Sequence, residues 1–179
     1  MPNSMSTGAE IPPLETYRLR LRGPRPTDYD ESCALWGDPE VTRYVGGKPL
    51  TREDVWARLL RYVGHWAWMG YGLWVVEEKA TDHYVGEVGF ANHKRAIDPP
   101  LTDMPEMGWV LATRFHGKGY ATEAVRAAIA WGDAHFHGAQ TSCIIHPENV
   151  RSIRVAEKCG FRQWQLGSYR DKPTLIFTR

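Results

Sequence analysis

Apolar and polar positions along this chain change period repeatedly, and each change marks an element. Residues 17–22 alternate basic and apolar side chains, the period of a strand with one buried face. Thr27 is suited to cap a short helix reaching about Gly37, with Asp28, Asp30 and Glu31 favouring its first turn. Thr51 opens a second helix in which Val55, Leu59, Tyr62, Val63 and Trp66 recur at helical spacing and predict one buried face. Residues 73–77 and 84–90 read as paired strands around the turn 79–82. Residues 92–105, with Pro99 and Pro100, read as a long loop, and 106–111 as the next strand. Ala121, Ala124, Val125, Ala128, Ile129, Gly132 and Phe136 form the inner face of a further helix. Residues 141–145 predict a short buried strand, 152–158 a helix stopped by Gly160, and 175–178 a closing strand. Hairpins first and strand–helix–strand later predict an α/β (α+β) domain, a mixed sheet with helices over it.

Length and charge narrow the classes. A chain of 179 residues predicts one domain with a sizeable core, here 15–179, behind a flexible polar tail over 1–14 in which Met5 is an alternative start. The net charge of +1 gives no electrostatic case for nucleic acid or an anionic membrane. No apolar run is long enough to span a bilayer, and the tail lacks the apolar stretch of a signal peptide. The three cysteines, Cys33, Cys143 and Cys159, are odd in number and far apart, so packing in a reducing cytoplasm is expected rather than disulfides. The histidines give no metal pattern: His135 and His137 end a helix without acidic or cysteine partners. His146 either borders a cleft or fills a turn, and Trp66, Trp68 and Tyr71 either line an apolar pocket or join the core.

The segment Arg114-Phe115-His116-Gly117-Lys118-Gly119-Tyr120-Ala121 lies between the 106–111 strand and the helix that follows. Glycines let backbone N–H groups approach a ligand, and a helix N-terminus adds unpaired N–H groups and positive potential. With Lys118 and Arg114 alongside, the turn suits a phosphate or pyrophosphate, although glycine turns also occur without ligands. Gly119 follows Lys118 where a P-loop needs Ser or Thr. A dinucleotide fold would place three glycines near the start of a βαβ unit.

This turn resembles the Arg/Gln-x-x-Gly-x-Gly/Ala pyrophosphate turn of the GNAT superfamily of N-acetyltransferases. The resemblance extends to Pro147-Glu148-Asn149-Val150-Arg151-Ser152, to Glu157-Lys158-Cys159-Gly160-Phe161, and to Glu15-Thr16-Tyr17-Arg18-Leu19-Arg20-Leu21-Arg22. Together these pieces are similar to the branch that includes the ribosomal-protein N-terminal acetyltransferases (RimJ/RimL-like), over roughly residues 15–179. The resemblance implies a central mixed sheet with helices on both faces and two splayed parallel strands, here 109–111 and 143–145, that admit the pantetheine arm of acetyl-CoA. It also implies that backbone groups of Trp109, Val110 and Leu111 pair with pantetheine amides. Arg114, His116, Gly117, Lys118, Gly119, Tyr120 and Ala121 would then hold the pyrophosphate. Asn149 matches the residue that bonds the pantetheine arm, with a plain helix cap as the alternative; Ser152, one turn on, would share its cleft. Arg151 and Arg154 either reach the 3′-phosphate or are solvated.

Acetyl transfer to an amine needs an acceptor for the amine proton, a donor for the developing oxyanion, and assistance for the thiolate leaving group. Glu106, opening the strand that would hold pantetheine, is the candidate base; Glu87 is the reserve, with a surface role as its alternative. Many relatives carry a tyrosine acid where this chain has Ala156; either Ser152 orients or protonates the thiol through a hydrogen bond, or there is no dedicated acid. The expected function is acetyl-CoA-dependent N-acetylation of a primary amine by direct attack in a ternary complex, without a metal. The acceptor is a protein N-terminus or a small amine, and the chain acts as a monomer or homodimer. The alternative is a catalytically degenerate coenzyme A-binding sensor or scaffold.

Overall fold

The computed structural model describes residues 11–179. Its strands are β1 (Leu14–Glu15), β2 (Leu19–Arg22), β3 (Leu73–Glu78), β4 (Tyr84–Ala91), β5 (Ile97–Asp98), β6 (Glu106–Leu111), β7 (Ser142–Ile145), β8 (Arg162–Tyr169) and β9 (Lys172–Thr178). They form one sheet in the order β1-β2-β3-β4-β6-β7-β9-β8-β5. The helices are α1 (Tyr29–Gly37), α2 (Pro39–Thr42), α3 (Arg52–Met69), α4 (Tyr120–His135) and α5 (Val150–Lys158).

Strand alternation divides the core between two faces. Trp74 and Val76 of β3 join Ala124, Val125 and Ala128 of α4 in one cluster, while Val75 joins Leu35, Trp36 and Val55 of α1 and α3 in the other. A register shift in the β3–β4 ladder, next to Val76 and Glu77, breaks strict alternation along β4. It allows Tyr84 and Glu87, three apart, to meet on one face through a 2.8 Å hydrogen bond. The neighbours β6 and β7 are parallel but share a single registered pair, Glu106↔Ser142, beyond which they separate. The expected mixed sheet, with helices on both faces and one opened parallel pair, is therefore what the chain adopts.

The basic–apolar opening is explained by what its side chains hold. Buried Arg22 forks onto Asp28 at 2.7 and 2.9 Å and reaches Glu77 at 2.7 Å, tying β2 to the following turn and to β3. Burial alone would lower its pKa, but the hydrogen bonds it donates to Asp28 and Glu77 outweigh that and raise it.

Several sequence expectations are corrected. Thr27 lies inside a turn of 3-10 helix, Pro26–Asp28, and Asp28 precedes α1. Thr51 does cap α3, in a reciprocal box with Asp54. Val63 is 48% exposed, because the buried stripe of α3 narrows to Val55, Leu59, Tyr62 and Trp66. The 92–105 loop contributes β5, which pairs with β8, an unforeseen strand whose side chains are largely exposed. Of the expected tail, residues 1–10 lie outside the described residues. Residues 11–14 are held by the domain: Leu14 pairs with Leu21, and the Pro12 carbonyl accepts a 2.8 Å bond from Trp74.

Candidate active site

Gly117 and Gly119 adopt left-handed backbone angles, φ 76° and 79°, and a Cβ added at Gly117 would meet no atom within 4 Å. Side chains at these angles are strained, so glycine is needed both for the turn and for its open surface. Gly119 is the N-cap of α4 and offers no side chain to occupy the helix's first N–H groups. The turn is braced from behind. Arg18 donates to the Lys118 carbonyl at 2.9 Å, pairs with Glu123 at 2.7 Å and lies 4.4 Å over the Tyr120 ring. Thr16 also donates to Glu123, at 2.6 Å, and the Tyr120 hydroxyl donates to Glu78. Tyr120 is thereby a buried strut of the turn, and Ala121 packs partly against the core.

The charged residues of the turn divide. Lys118 is exposed, with its ammonium 5.2 Å over the Phe115 ring. Arg114, expected beside the phosphate, instead bonds Glu31 and the Tyr84 carbonyl, each at 3.2 Å, and fastens the turn to α1 and β4. His116 spans the mouth of the opening. Its Nε2 lies 2.8 Å from the Leu111 carbonyl oxygen and so carries the proton, leaving Nδ1 to face Arg151 at 3.4 Å.

The opening between β6 and β7 presents backbone groups selectively. Ala112 N–H donates to Val85 of β4, whereas Ser142 N–H donates to the Pro105 carbonyl from the β7 side. In an antiparallel strand the N–H and C=O of one residue point the same way and alternate along the chain. Met107, Trp109 and Leu111 therefore face the gap, and Val110 faces β4, where it is registered with Glu87. This corrects the expectation for Val110, whose backbone is turned away from the opening and whose side chain packs on the α1–α3 side. The edge left without a strand partner suits an extended arm bearing amides. Asn149 caps α5, accepting from Ser152 N–H at 3.2 Å, so the capping alternative holds for its Oδ1 while the side-chain amide nitrogen remains available. Ser152 is half-buried one turn further on. Ala156 is fully buried in the core. Burial also raises the Cys143 and Cys159 thiols above their ordinary range, which keeps them protonated and inert.

The opposite side of β6 is the second half of the site. Glu106, Gly108 and Val110 share the α1–α3 face, and a Cβ added at Gly108 would meet nothing within 4 Å. Glu106 sits at the apex where β6 and β7 part, 9% exposed, with both oxygens engaged by Arg95 at 2.7 and 2.9 Å. His93 approaches Glu106 to 3.9 Å. Its pKa is pushed down to about 3, first by burial and then by Arg95, Arg61, His65 and Arg58. The Ser142 hydroxyl, across from Glu106, is buried without a partner among the described residues.

Glu87 is corrected from a surface residue to a fully buried one. Its oxygens accept from Ser32 (2.9 Å), Tyr84 (2.8 Å), Trp36 (3.0 Å) and Tyr62 (2.7 Å). Caged in this way, it has no route to an acceptor. Trp66 and Tyr71 are core residues as well, Trp66 meeting Trp74 edge-on at 4.8 Å, while Trp68 is 91% exposed. His146 stacks at a tilt on Tyr44, 5.2 Å between centroids. Sequence reasoning missed Arg95 and His93 because they lie in a segment with no periodicity. It also missed Arg18 as a brace, although Arg18 sits in the quoted opening motif. Among the described residues no cluster of His, Cys, Asp and Glu is arranged to hold a metal, and no helix is long and apolar enough to cross a membrane.

Comparison with known proteins agrees with this architecture. The family described as "Acetyltransferase (GNAT) domain" matches residues 18–162. YkkB of Bacillus subtilis (strain 168), a protein of uncharacterised function, is 32% identical over 172 residues, 93% of this chain and 94% of its own. The uncharacterised N-acetyltransferase p20 of Bacillus licheniformis is 30% identical, covering 84% of this chain and 82% of its own. An acetyltransferase structure from Agrobacterium tumefaciens str. C58 superposes with a TM-score of 0.82 at 26% identity, over 96% of this chain and 95% of that one. Spermidine N-acetyltransferase from Vibrio cholerae, in complex with CoA and spermine, shares the fold at a TM-score of 0.72 and 18% identity, over 92% and 96% of the two chains. RimL, a ribosomal L7/L12 alpha-N-protein acetyltransferase in complex with CoA, does so at 0.76 and 13%, over 94% and 97%. The likeness thus spreads over several kinds of acetyltransferase and does not single out the ribosomal-protein branch. The chain belongs to the GNAT acetyltransferases, enzymes of acetyl-CoA-dependent acyl transfer.

Proposed function

We propose that this protein transfers the acetyl group of acetyl-CoA to a primary amine by direct attack in a ternary complex. The observation that carries the reading is the parting of β6 from β7 after one registered pair, beside a glycine turn whose open face leads into α4. The backbone N–H groups of Gly117, Lys118, Gly119 and Tyr120 hold the pyrophosphate, and Lys118 adds charge. Trp109 and Leu111 offer backbone groups to the pantetheine amides, and Asn149 its amide nitrogen from the other wall. His116 releases the Leu111 carbonyl as the arm enters and then borders it. The bound thioester supplies an already activated acyl group, so the protein needs no nucleophile of its own.

The amine lies on the Gly108 side, beyond the apex. Glu106 accepts its proton through water, loosening one arm of the Arg95 fork to do so. Ser152, facing the opening from α5, stabilises the departing thiolate by a hydrogen bond. Bringing the amine from the Gly108 side against a thioester held in the gap between β6 and β7 provides much of the acceleration through proximity. In the wider set of acceptors, a peptide N-terminus follows from the branch the motifs resemble, and a small amine is the other acceptor the open Gly108 floor admits. Residues 15–179 would suffice as the catalytic unit, with 11–14 completing its packing.

The deciding measurement is thiol release from acetyl-CoA in the presence and absence of amines. Acceptor-dependent release establishes turnover. Tight acetyl-CoA binding with no release for any amine would instead establish a coenzyme A-binding sensor, the reading kept open by Ala156.

A further inference from the structure

The flank of α3 that faces the 92–95 segment carries Arg58, Arg61 and His65 at successive turns, a spacing that places them in one row. His65 fixes the direction of the row: its Nδ1 lies 2.6 Å from the Tyr71 carbonyl, and its Nε2 accepts from Asn92 N–H at 2.9 Å. Arg58 lies flat on Trp36, 3.8 Å from the ring centroid, and donates to the Tyr62 hydroxyl at 3.2 Å. Its Nε is buried without a partner among the described residues. Arg61 makes no hydrogen bond or ion pair with any described residue.

The carboxylates on this face are already committed. Arg95 takes both oxygens of Glu106, and neutral hydroxyl and indole donors take all of Glu87. Neutral donors leave the charge of Glu87 in place, so Arg58, Arg61 and Arg95 against Glu87 and Glu106 leave one excess positive charge beside the open Gly108 floor. The effect is visible on their neighbours. His93 is held neutral by burial and by Arg95, Arg61, His65 and Arg58, and Arg61 itself is pulled below its ordinary range by desolvation, then by Arg58 and Arg95. A polycation brought here would meet repulsion from Arg58, Arg61 and Arg95. A carboxylate would pair with the unpaired Arg61 and lie in the field of the Arg58 guanidinium.

We propose that the amine acetylated at this site carries a carboxylate a few bonds from its nitrogen, and that Arg58 and Arg61 hold that carboxylate while the nitrogen lies toward Glu106. The inference rests on the acetyltransferase reading and names its substrate class, an amino carboxylate. The surplus guanidinium charge has a second use. A nearby positive field disfavours the ammonium form and delivers the amine as the free base that attack requires.

The test measures thiol release with acetyl-CoA and matched acceptors: the twenty amino acids, their C-terminal amides, their decarboxylated amines, spermidine, and peptide amides with Asp at the N-terminus. The amino acids separate a free small acceptor from the acidic peptide, where the anion is a side chain. The expected result is a kcat/KM at least about 10-fold higher for the carboxylate-bearing acceptor than for its amide or amine, the scale of one charged hydrogen bond. Arg61→Ala should raise KM for that acceptor roughly 10–100-fold with kcat within a few-fold and acetyl-CoA affinity unchanged. The same variant should leave KM for the amide unmoved. Arg58→Ala also removes the stack on Trp36, so Arg61, at an exposed position, carries the mutational arm. Equal use of amides and acids, preference for spermidine, or no turnover of any amino carboxylate while acetyl-CoA binds normally would each overturn the inference. Failure to bind acetyl-CoA would overturn the broader reading instead.

Discussion

Arg18 donates a 2.9 Å hydrogen bond to the backbone carbonyl of Lys118, joining the opening strand motif to the glycine turn. The same guanidinium pairs with Glu123 and covers Tyr120, so one side chain sets the position of the turn and the start of α4. Arg18→Ala is expected to weaken acetyl-CoA binding by about 10-fold, the reach of one charge-assisted hydrogen bond, although Arg18 holds the turn from behind. Calorimetric titration checks this; an unchanged Kd would show that the turn holds itself.

The turn glycines should respond differently from the lysine between them. Gly117→Val and Gly119→Val are expected to abolish acetyl-CoA binding and its thermal stabilisation, through backbone strain and lost access. Lys118→Ala should cost about 1–3 kcal/mol of binding. Melting curves over an acetyl-CoA titration read all three, and uniformly small effects would make the turn a purely structural corner.

Glu106→Gln is expected to lower kcat by roughly 10²–10⁴-fold, as loss of a general base does, with acetyl-CoA affinity unchanged. Raising the pH should recover part of the loss, because more of the acceptor then arrives deprotonated. A kcat close to wild type at neutral pH would remove Glu106 from the chemistry and leave it as the anchor of Arg95.

Glu87→Ala should be a stability mutant. It strands the donors of Ser32, Trp36, Tyr62 and Tyr84, each buried donor costing about 1–3 kcal/mol when unpaired. A loss of at least ~3 kcal/mol in urea unfolding is expected, and less for Glu87→Gln, which keeps one carbonyl oxygen. Tyr62 and Tyr84 also predict alkaline behaviour. Burial and then Glu87 raise both phenols well above their ordinary range. The native state therefore holds these protons more tightly than the unfolded chain, and stability should fall as pH rises beyond about 10. Flat stability to pH 11 would contradict the buried cage.

His93 predicts the acid side. Its folded pKa of about 3 lies below the unfolded value near 6.5, so the unfolded chain binds this proton more readily. The contribution to stability is complete above pH 6.5 and is lost as pH falls toward 3. His93→Gln should flatten that part of the stability profile. A ring titrating near 6.5 by NMR would show instead that neither burial nor the surrounding arginines disfavour its charge.

Local sequence reports local physics, and much of this protein is local. The period of apolar residues located α3, α4 and the strands flanking the turn, because burial of one face depends on spacing within a short segment. Gly117 and Gly119 announced a backbone that disfavours side chains, and Asn149 was legible as a pantetheine contact with a helix cap as its alternative. The α/β class followed from element order, and the glycine turn between a strand and a helix pointed to a phosphate-bearing ligand. Tertiary structure alone decided which groups face one another. Arg114 reads as a phosphate ligand and Arg18 as one residue of an alternating strand, yet Arg114 bonds Glu31 and Arg18 supports the Lys118 carbonyl. Glu87 and Glu106 both read as available carboxylates, yet one is caged and the other forked onto Arg95. Val110 looked equivalent to its neighbours until the β4–β6 hydrogen bonds set which residues face the gap. These outcomes depend on contacts between residues far apart in sequence, whose energies arise only when the sheet registers and the helices cover it. A one-dimensional pattern carries the tendency of each segment to form, and the packed sheet supplies the partners.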